Sequence, residues 1–172
     1  MKLDKKERLA LVNQFLILEK LYPDGANYYA DHRKALEEGY ELHYGWIFEN
    51  ISDGLTEDEC KNVLNILDMY SALHYSSTKS ESDKFKDHSW VKFQGFDGNN
   101  ESSYRAYCRY FIVDLNRFKE LCYDQDFPDF NSHMPSIPKY NAMLDIWLEM
   151  KRPFELNADQ AIAILEARPH VG

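Results

Sequence analysis

The sequence predicts an all-α fold, a single-domain multihelical bundle of six to seven helices over residues 1–172, with at most a short extended piece near 90–94. Three observations predict it. Apolar residues recur at three- and four-residue spacings over most of the chain, the period of a helix with one face in a core. Reciprocal cap residues stand ahead of several of these segments: Asp4 with Glu7, Thr56 with Glu59, and Asn157 with Gln160. Helix-stopping residues fall between them, at Pro23, Gly39 and Asp53-Gly54.

Taken in order, Asp4 and Glu7 introduce Leu9, Leu11, Val12, Phe15, Leu16, Leu18 and Leu21, a first helix that ends before Pro23. Residues 26–38 form the second, with Tyr29, His32, Ala35 and Leu36 inward and Gly39 placed for a left-handed C-terminal cap. Residues 40–51 continue as a short aromatic helix carrying Tyr44, Trp46, Ile47 and Phe48. The helix opened by Thr56 runs to about Ser76, and apolar residues cover nearly its whole circumference, which makes it central. Residues 78–88 are polar and aperiodic, a loop. Residues 90–94 alternate like a short extended piece, and Gly95 to Asn99 turn the chain. From Glu101 to Tyr123 the positions Tyr104, Cys108, Phe111, Leu115, Phe118 and Cys122 step by four and three in a heptad-like seam. That seam packs inside the bundle or against another chain. Residues 124–138 are irregular, residues 139–151 helical, and Asn157 caps a last helix with Ile162, Ile164 and Leu165.

Composition excludes several functional classes. A hydrophobic fraction of 44% with 28% charged and 15% aromatic residues describes a folded domain rather than a disordered chain. No stretch approaches the roughly 20 apolar residues of a membrane span, and Met1-Lys2-Leu3-Asp4-Lys5-Lys6 is no apolar leader. A cytoplasmic location is expected. Cys60, Cys108 and Cys122 are odd in number and widely spaced, unlike a disulfide framework. Twenty Lys and Arg against 29 Asp and Glu leave a net charge of −9, which repels nucleic acid and anionic membranes. The two basic groups, Lys2, Lys5, Lys6 and Arg8, and Arg105, Arg109, Arg117 and Lys119, are interrupted by acids and read as solvated faces.

Familiar reaction chemistry is missing. Gly95 to Gly98 carries an acid where a phosphate loop needs backbone donors. Asp97, Asn99 and Glu101 match the start of a calcium loop, but Ser102 and Cys108 occupy its sixth and twelfth positions. The six histidines are not paired at zinc-ligand spacing, and no Gly-x-Ser-x-Gly elbow occurs. No cofactor or metal is expected. Two polar groups stand out: Asp68, Tyr70 and His74 on the central helix, and His133 in the irregular loop. With Asp97 and Arg109 they are the candidates for a pocket gathered from distant positions.

An ordered set of strings resembles the YfbU family of uncharacterised bacterial proteins. They are Arg8-Leu9 with Asn13-Gln14, Gly39-Tyr40, Cys60, Asp68-Met69-Tyr70-Ser71-Ala72-Leu73-His74, Phe93-Gln94-Gly95-Phe96-Asp97, Glu101, and Arg109 with Phe111. Phe130-Asn131, Pro135, Tyr140, Met143-Leu144, Trp147 and Leu156-Asn157-Ala158 continue the set, which spans residues 8 to 158. The resemblance implies a small, mainly helical cytoplasmic protein. It implies no reaction and assigns no catalytic residue. The residues and the resemblance together lead to a non-enzymatic interaction or regulatory domain acting as a homo-oligomer or through a protein partner. The alternative is an enzyme or small-ligand binder built on the distant polar candidates.

Overall fold

A computed structural model describes residues 2–125 and 128–169. Among them are eight α-helices, two of only four residues, with 3-10 turns and one π-helical turn between them. No strand forms among the described residues; an isolated parallel bridge joins Phe96 and Asn131. The all-α expectation holds. The chain divides into two compact units, Met1–Asp53 and Gly54–Gly172.

In the first unit, α1 (Lys5–Leu21) and α2 (Ala26–Glu38) form a helical hairpin through the 3-10 turn Pro23–Gly25. The Asp4 carboxylate accepts the N–H of Lys6 and Glu7 at 2.7 and 2.9 Å, and Glu7 accepts the Asp4 N–H at 2.8 Å, which closes the expected capping box. Gly39 ends α2 at φ +76. A Cβ there would lie 2.8 Å from the Arg8 guanidinium, which donates to the Leu36 carbonyl at 3.0 Å, so α1 and the end of α2 meet at this glycine. Phe15, Leu36 and Tyr44 are the buried centre, flanked by Leu11, Val12, Leu18 and Tyr29. The continuous helix expected over 40–51 is corrected to the 3-10 turn Glu41–His43 and a single turn, α3 (Tyr44–Ile47). Gly45 weakens the helix, and Tyr44, Trp46 and Phe48 recur every second residue, a period no helix can bury on one side.

In the second unit, α4 (Glu57–Lys79) is the core element the sequence indicated, burying Val63, Ile66, Leu67, Met69, Tyr70, Ala72, Leu73 and Ser76. It continues past Ser76 to Lys79, and the Ser77 and Thr78 hydroxyls in its last turn donate back to the His74 and Tyr75 carbonyls at 2.8 and 2.7 Å. The loop expected over 78–88 is corrected as well: α5 (Asp83–Lys86) forms there, anchored by Phe85, which is fully buried. One apolar residue creates no period, so the sequence concealed it. At 93–94 the backbone finds no neighbouring strand. Instead the N–H groups of Phe93 and Gln94 donate to the hydroxyls of Tyr123 and Tyr140 at 2.6 and 3.2 Å.

The single helix expected from 101 to 123 is the largest correction. The α-helix α6 (Ser102–Arg109) passes into a π-helical turn, Tyr110–Asp114, then a left-handed Asn116 (φ 59) and Phe118 (φ 48), and the 3-10 turn Lys119–Cys122. The β-branched pair Ile112-Val113 disfavours helix and Asn116 tolerates the left-handed conformation, so the chain turns where an uninterrupted seam would have continued. Phe118 folds back on Phe111, ring centroids 6.0 Å apart, and Leu121, outside the seam pattern, takes the buried place. Then α7 (Ile137–Glu149) and α8 (Ala158–Leu165) complete the unit. Lys139 from α7 donates to the Leu165 and Ala167 carbonyls at 2.7 and 2.5 Å, closing the C-terminal end of α8.

Candidate functional site

The second unit holds a buried polar knot. Glu101, 6% exposed, accepts the backbone N–H of Asp97 at 3.0 Å, of Ser136 at 2.8 Å and of Ile137 at 2.9 Å, with the Ser136 hydroxyl 2.8 Å from Oε2. It therefore caps the start of α7 from another segment of the chain, supplying acceptors that a helix N-terminus lacks. Around it, Gly95 takes φ +82 against Phe130, and the Ser136 and Tyr140 hydroxyls lie 3.0 and 2.9 Å from the Gly95 carbonyl. Asp97 faces Asn99 and Asn100, and Asn131 accepts the Gly98 N–H at 3.0 Å. These acids organise backbone. Each has its oxygens committed to donors of the protein.

The six pocket candidates do not converge on one cavity. Asp97 and His133 lie within electrostatic reach of each other, and His133 is exposed on a left-handed turn at φ 56. Asp68 is exposed on α4; partial burial pushes its carboxyl up and Arg152 opposes that rise. Tyr70 is fully buried, its ring 5.3 Å from Tyr140, and burial pushes its hydroxyl well above the usual tyrosine range. Arg109 is exposed at the end of α6. His74 alone opens on a sizeable cavity, about 350 Å³, between Tyr123 and the lysines Lys86, Lys92 and Lys119.

The six seam residues are also distributed. Cys108 is fully buried, its thiol pushed up by burial. Tyr104, Phe111, Phe118 and Cys122 pack half-buried on the core, Tyr104 donating to Glu59 at 3.1 Å, while Leu115 is 43% exposed.

Asp97 makes stability depend on acid. The Asn100 side chain, then the Asn99 N–H, hold its carboxyl below the usual value of 3.8. A carboxyl whose folded pKa is depressed stabilises fully above its unfolded pKa and loses that contribution as pH falls through the folded value. Resistance to urea should therefore decline below pH 3.8, and Asp97→Asn should flatten that decline in denaturation curves taken at several pH values.

A larger concavity lies elsewhere, within the first unit. A groove of about 480 Å³ is walled by Tyr28 and His32 from α2 and by Tyr40, His43 and Trp46 from the segment after it. Tyr28 meets His32 edge-on at 4.4 Å and 85°, and His43 meets Trp46 at 4.4 Å and 62°. Asp31, Glu49 and Lys34 supply its charges. The buried Nδ1 of His43 has no hydrogen-bond partner among the described residues. The sequence reading placed His32 inward and Trp46 on an aromatic helix but did not join them. The signal was the four-residue spacing of Tyr28 to His32 on α2, and the three-residue spacing of Tyr40, His43 and Trp46, which aligns side chains through a 3-10 turn.

Comparison with known proteins now bears on identity. A family model described as the YfbU domain matches residues 1–167. The chain belongs to the YfbU family. A curated relative from Methanocaldococcus jannaschii, named UPF0304 protein MJECS11, is 36% identical over 169 residues, covering 96% of this chain and 99% of the relative. That relative is archaeal, so the likeness reaches beyond the bacteria that the resemblance had implied. Gly95, Asp97, Glu101, Phe130, Asn131 and Tyr140, which carried the resemblance to the YfbU family, meet in the polar knot. Their clustering has a structural cause: they hold together the irregular half of the second unit. No helix among the described residues is long and apolar enough to cross a membrane.

Proposed function

We propose that this member of the YfbU family is a non-enzymatic protein-interaction domain that works as a homo-oligomer, and that the outer face of α1 is its contact surface. The observation that carries the reading is exposure. Leu9, Ile17 and Leu21 are 60, 58 and 65% exposed and fall on the side of α1 away from buried Phe15, with Leu16, 43% exposed, at its flank. A surface helix keeps polar residues on its solvent side, as Lys6, Asn13 and Lys20 are here, and large aliphatic residues interleaved with them add apolar area that a partner can cover. Inside the unit, α2 covers only the inner face.

A second copy suits this face. An isologous two-fold contact needs a patch complementary to itself, and an apolar stripe running from the first to the last third of a helix meets that need in antiparallel array. Two hairpins joined in this way make a four-helix arrangement, a common way of burying such faces.

The test is light scattering coupled to size exclusion over a range of concentrations. Wild-type protein should show a discrete oligomer, and Ile17→Glu should shift it to monomer with its thermal midpoint and helical circular dichroism retained, since Ile17 is exposed in the hairpin. A wild-type chain that stays monomeric throughout, or an Ile17→Glu oligomer, overturns the reading.

A further inference from the structure

We propose that the groove of the first unit binds a small organic cation, an ammonium or guanidinium joined to an apolar body. Three features of the groove point to that class together. Its volume, about 480 Å³, falls among small-molecule sites, which run from about 300 to 1,000 Å³. Its walls are aromatic and unfilled: Tyr28, Tyr40 and Trp46 keep 51, 51 and 55% of their surface exposed although they face a concavity. Ring faces carry negative charge, and cations are drawn to them, most strongly to tryptophan.

The charges agree. Asp31 and Glu49 border the groove against a single cation, Lys34, and neither acid takes part in an ion pair among the described residues. The net charge of −9 adds a field of the same sign, which concentrates cations and turns anions away. Two histidines and two acids do not amount to a metal site, and no group of three or more possible ligands gathers among the described residues.

Calorimetric titration of the full chain at neutral pH tests this with four probes of one size class: benzylammonium, benzyltrimethylammonium, benzyl alcohol and benzoate. Benzylammonium should saturate at one per chain and bind at least tenfold more tightly than the alcohol or benzoate. Trp46→Ala should weaken it at least tenfold, and the double change Asp31→Asn with Glu49→Gln should erase its advantage over the alcohol. Benzyltrimethylammonium should also bind more tightly than the alcohol, because the rings and the two acids act on charge. Equal binding of amine and alcohol, no saturation, or full affinity in Trp46→Ala overturns the proposal. A lysine-containing tetrapeptide that binds more tightly than the free amine overturns it too, because the cation would then be a side chain of a protein partner. Helical circular dichroism of each variant confirms that the unit still folds. Ile17→Glu should bind benzylammonium as wild type does, so failure of the oligomer reading and failure of this one are separable.

Discussion

Gly95→Ala is expected to destabilise the second unit by at least about 3 kcal/mol, one of the largest effects available to a single methyl group in this chain. Two costs combine. Gly95 sits at φ +82, where an L side chain strains the backbone by about 1–2 kcal/mol, and the added Cβ would lie 2.1 Å from the Phe130 carbonyl oxygen. Backbone cannot yield as a flexible side chain can. To remove the clash, residues 95 and 130 must separate, which breaks the bond from the Phe96 N–H to the Phe130 carbonyl at 2.9 Å and the bridge to Asn131. Gly54→Ala is the control, because Gly54 shares the left-handed conformation at φ +70 but nothing lies within 4 Å of its Cβ position. It should cost about 1 kcal/mol. Urea denaturation of both variants separates strain from collision, and equal losses would show that the approach to Phe130 does not matter.

Glu101→Ala should be comparably damaging, by about 3–5 kcal/mol, for a different reason. The carboxylate receives three backbone N–H groups and the Ser136 hydroxyl within 3.0 Å, in a place where water does not replace it. Removing it leaves donors buried and unpaired, and each such group costs about 1–3 kcal/mol. The effect should also be local before it is global. Amide exchange at Ser136 and Ile137, the first turn of α7, should accelerate in Glu101→Ala more than exchange in α4, whereas uniform acceleration would argue against the capping role. Glu101→Gln keeps the volume but turns an NH2 group toward donors, so it should rescue only part of the loss.

Much of the architecture was legible along the chain. The cap pairs Asp4 with Glu7, Thr56 with Glu59 and Asn157 with Gln160 all close in the structure, and Gly39 is left-handed as expected. These are interactions within four residues, so local composition decides them. The nearly circumferential apolar pattern of 63–73 likewise announced the core helix, because burial on nearly all sides leaves only the narrow polar stripe of Lys61, Asn65 and Asp68.

The errors share a cause. Phe85 anchors α5 through burial against residues remote in sequence, and the 101–123 segment bends because Phe118 and Leu121 find places in a core that the heptad count cannot see. Asp97 and Glu101 were visible as acids, and the donors to Asp97 are local, but the donors Ser136 and Ile137 to Glu101 lie 35 and 36 residues away. The groove was hidden similarly. Its rings come from two segments whose separate helical spacings could be read, whereas the concavity exists only once α2 and the turn after it fold together.

By itself, then, the sequence determined the all-α class, the helix starts, the central helix and the membership in the YfbU family, because caps, periods and ordered strings are local or collinear properties. Only the tertiary structure decided that Leu9, Ile17 and Leu21 of α1 stand exposed, that Glu101 caps a helix formed by a later segment, and that His32 and His43 border one aromatic groove. Exposure, buried pairing and concavity depend on which segments meet. That is set by the packing of the whole unit, not by any window of the chain.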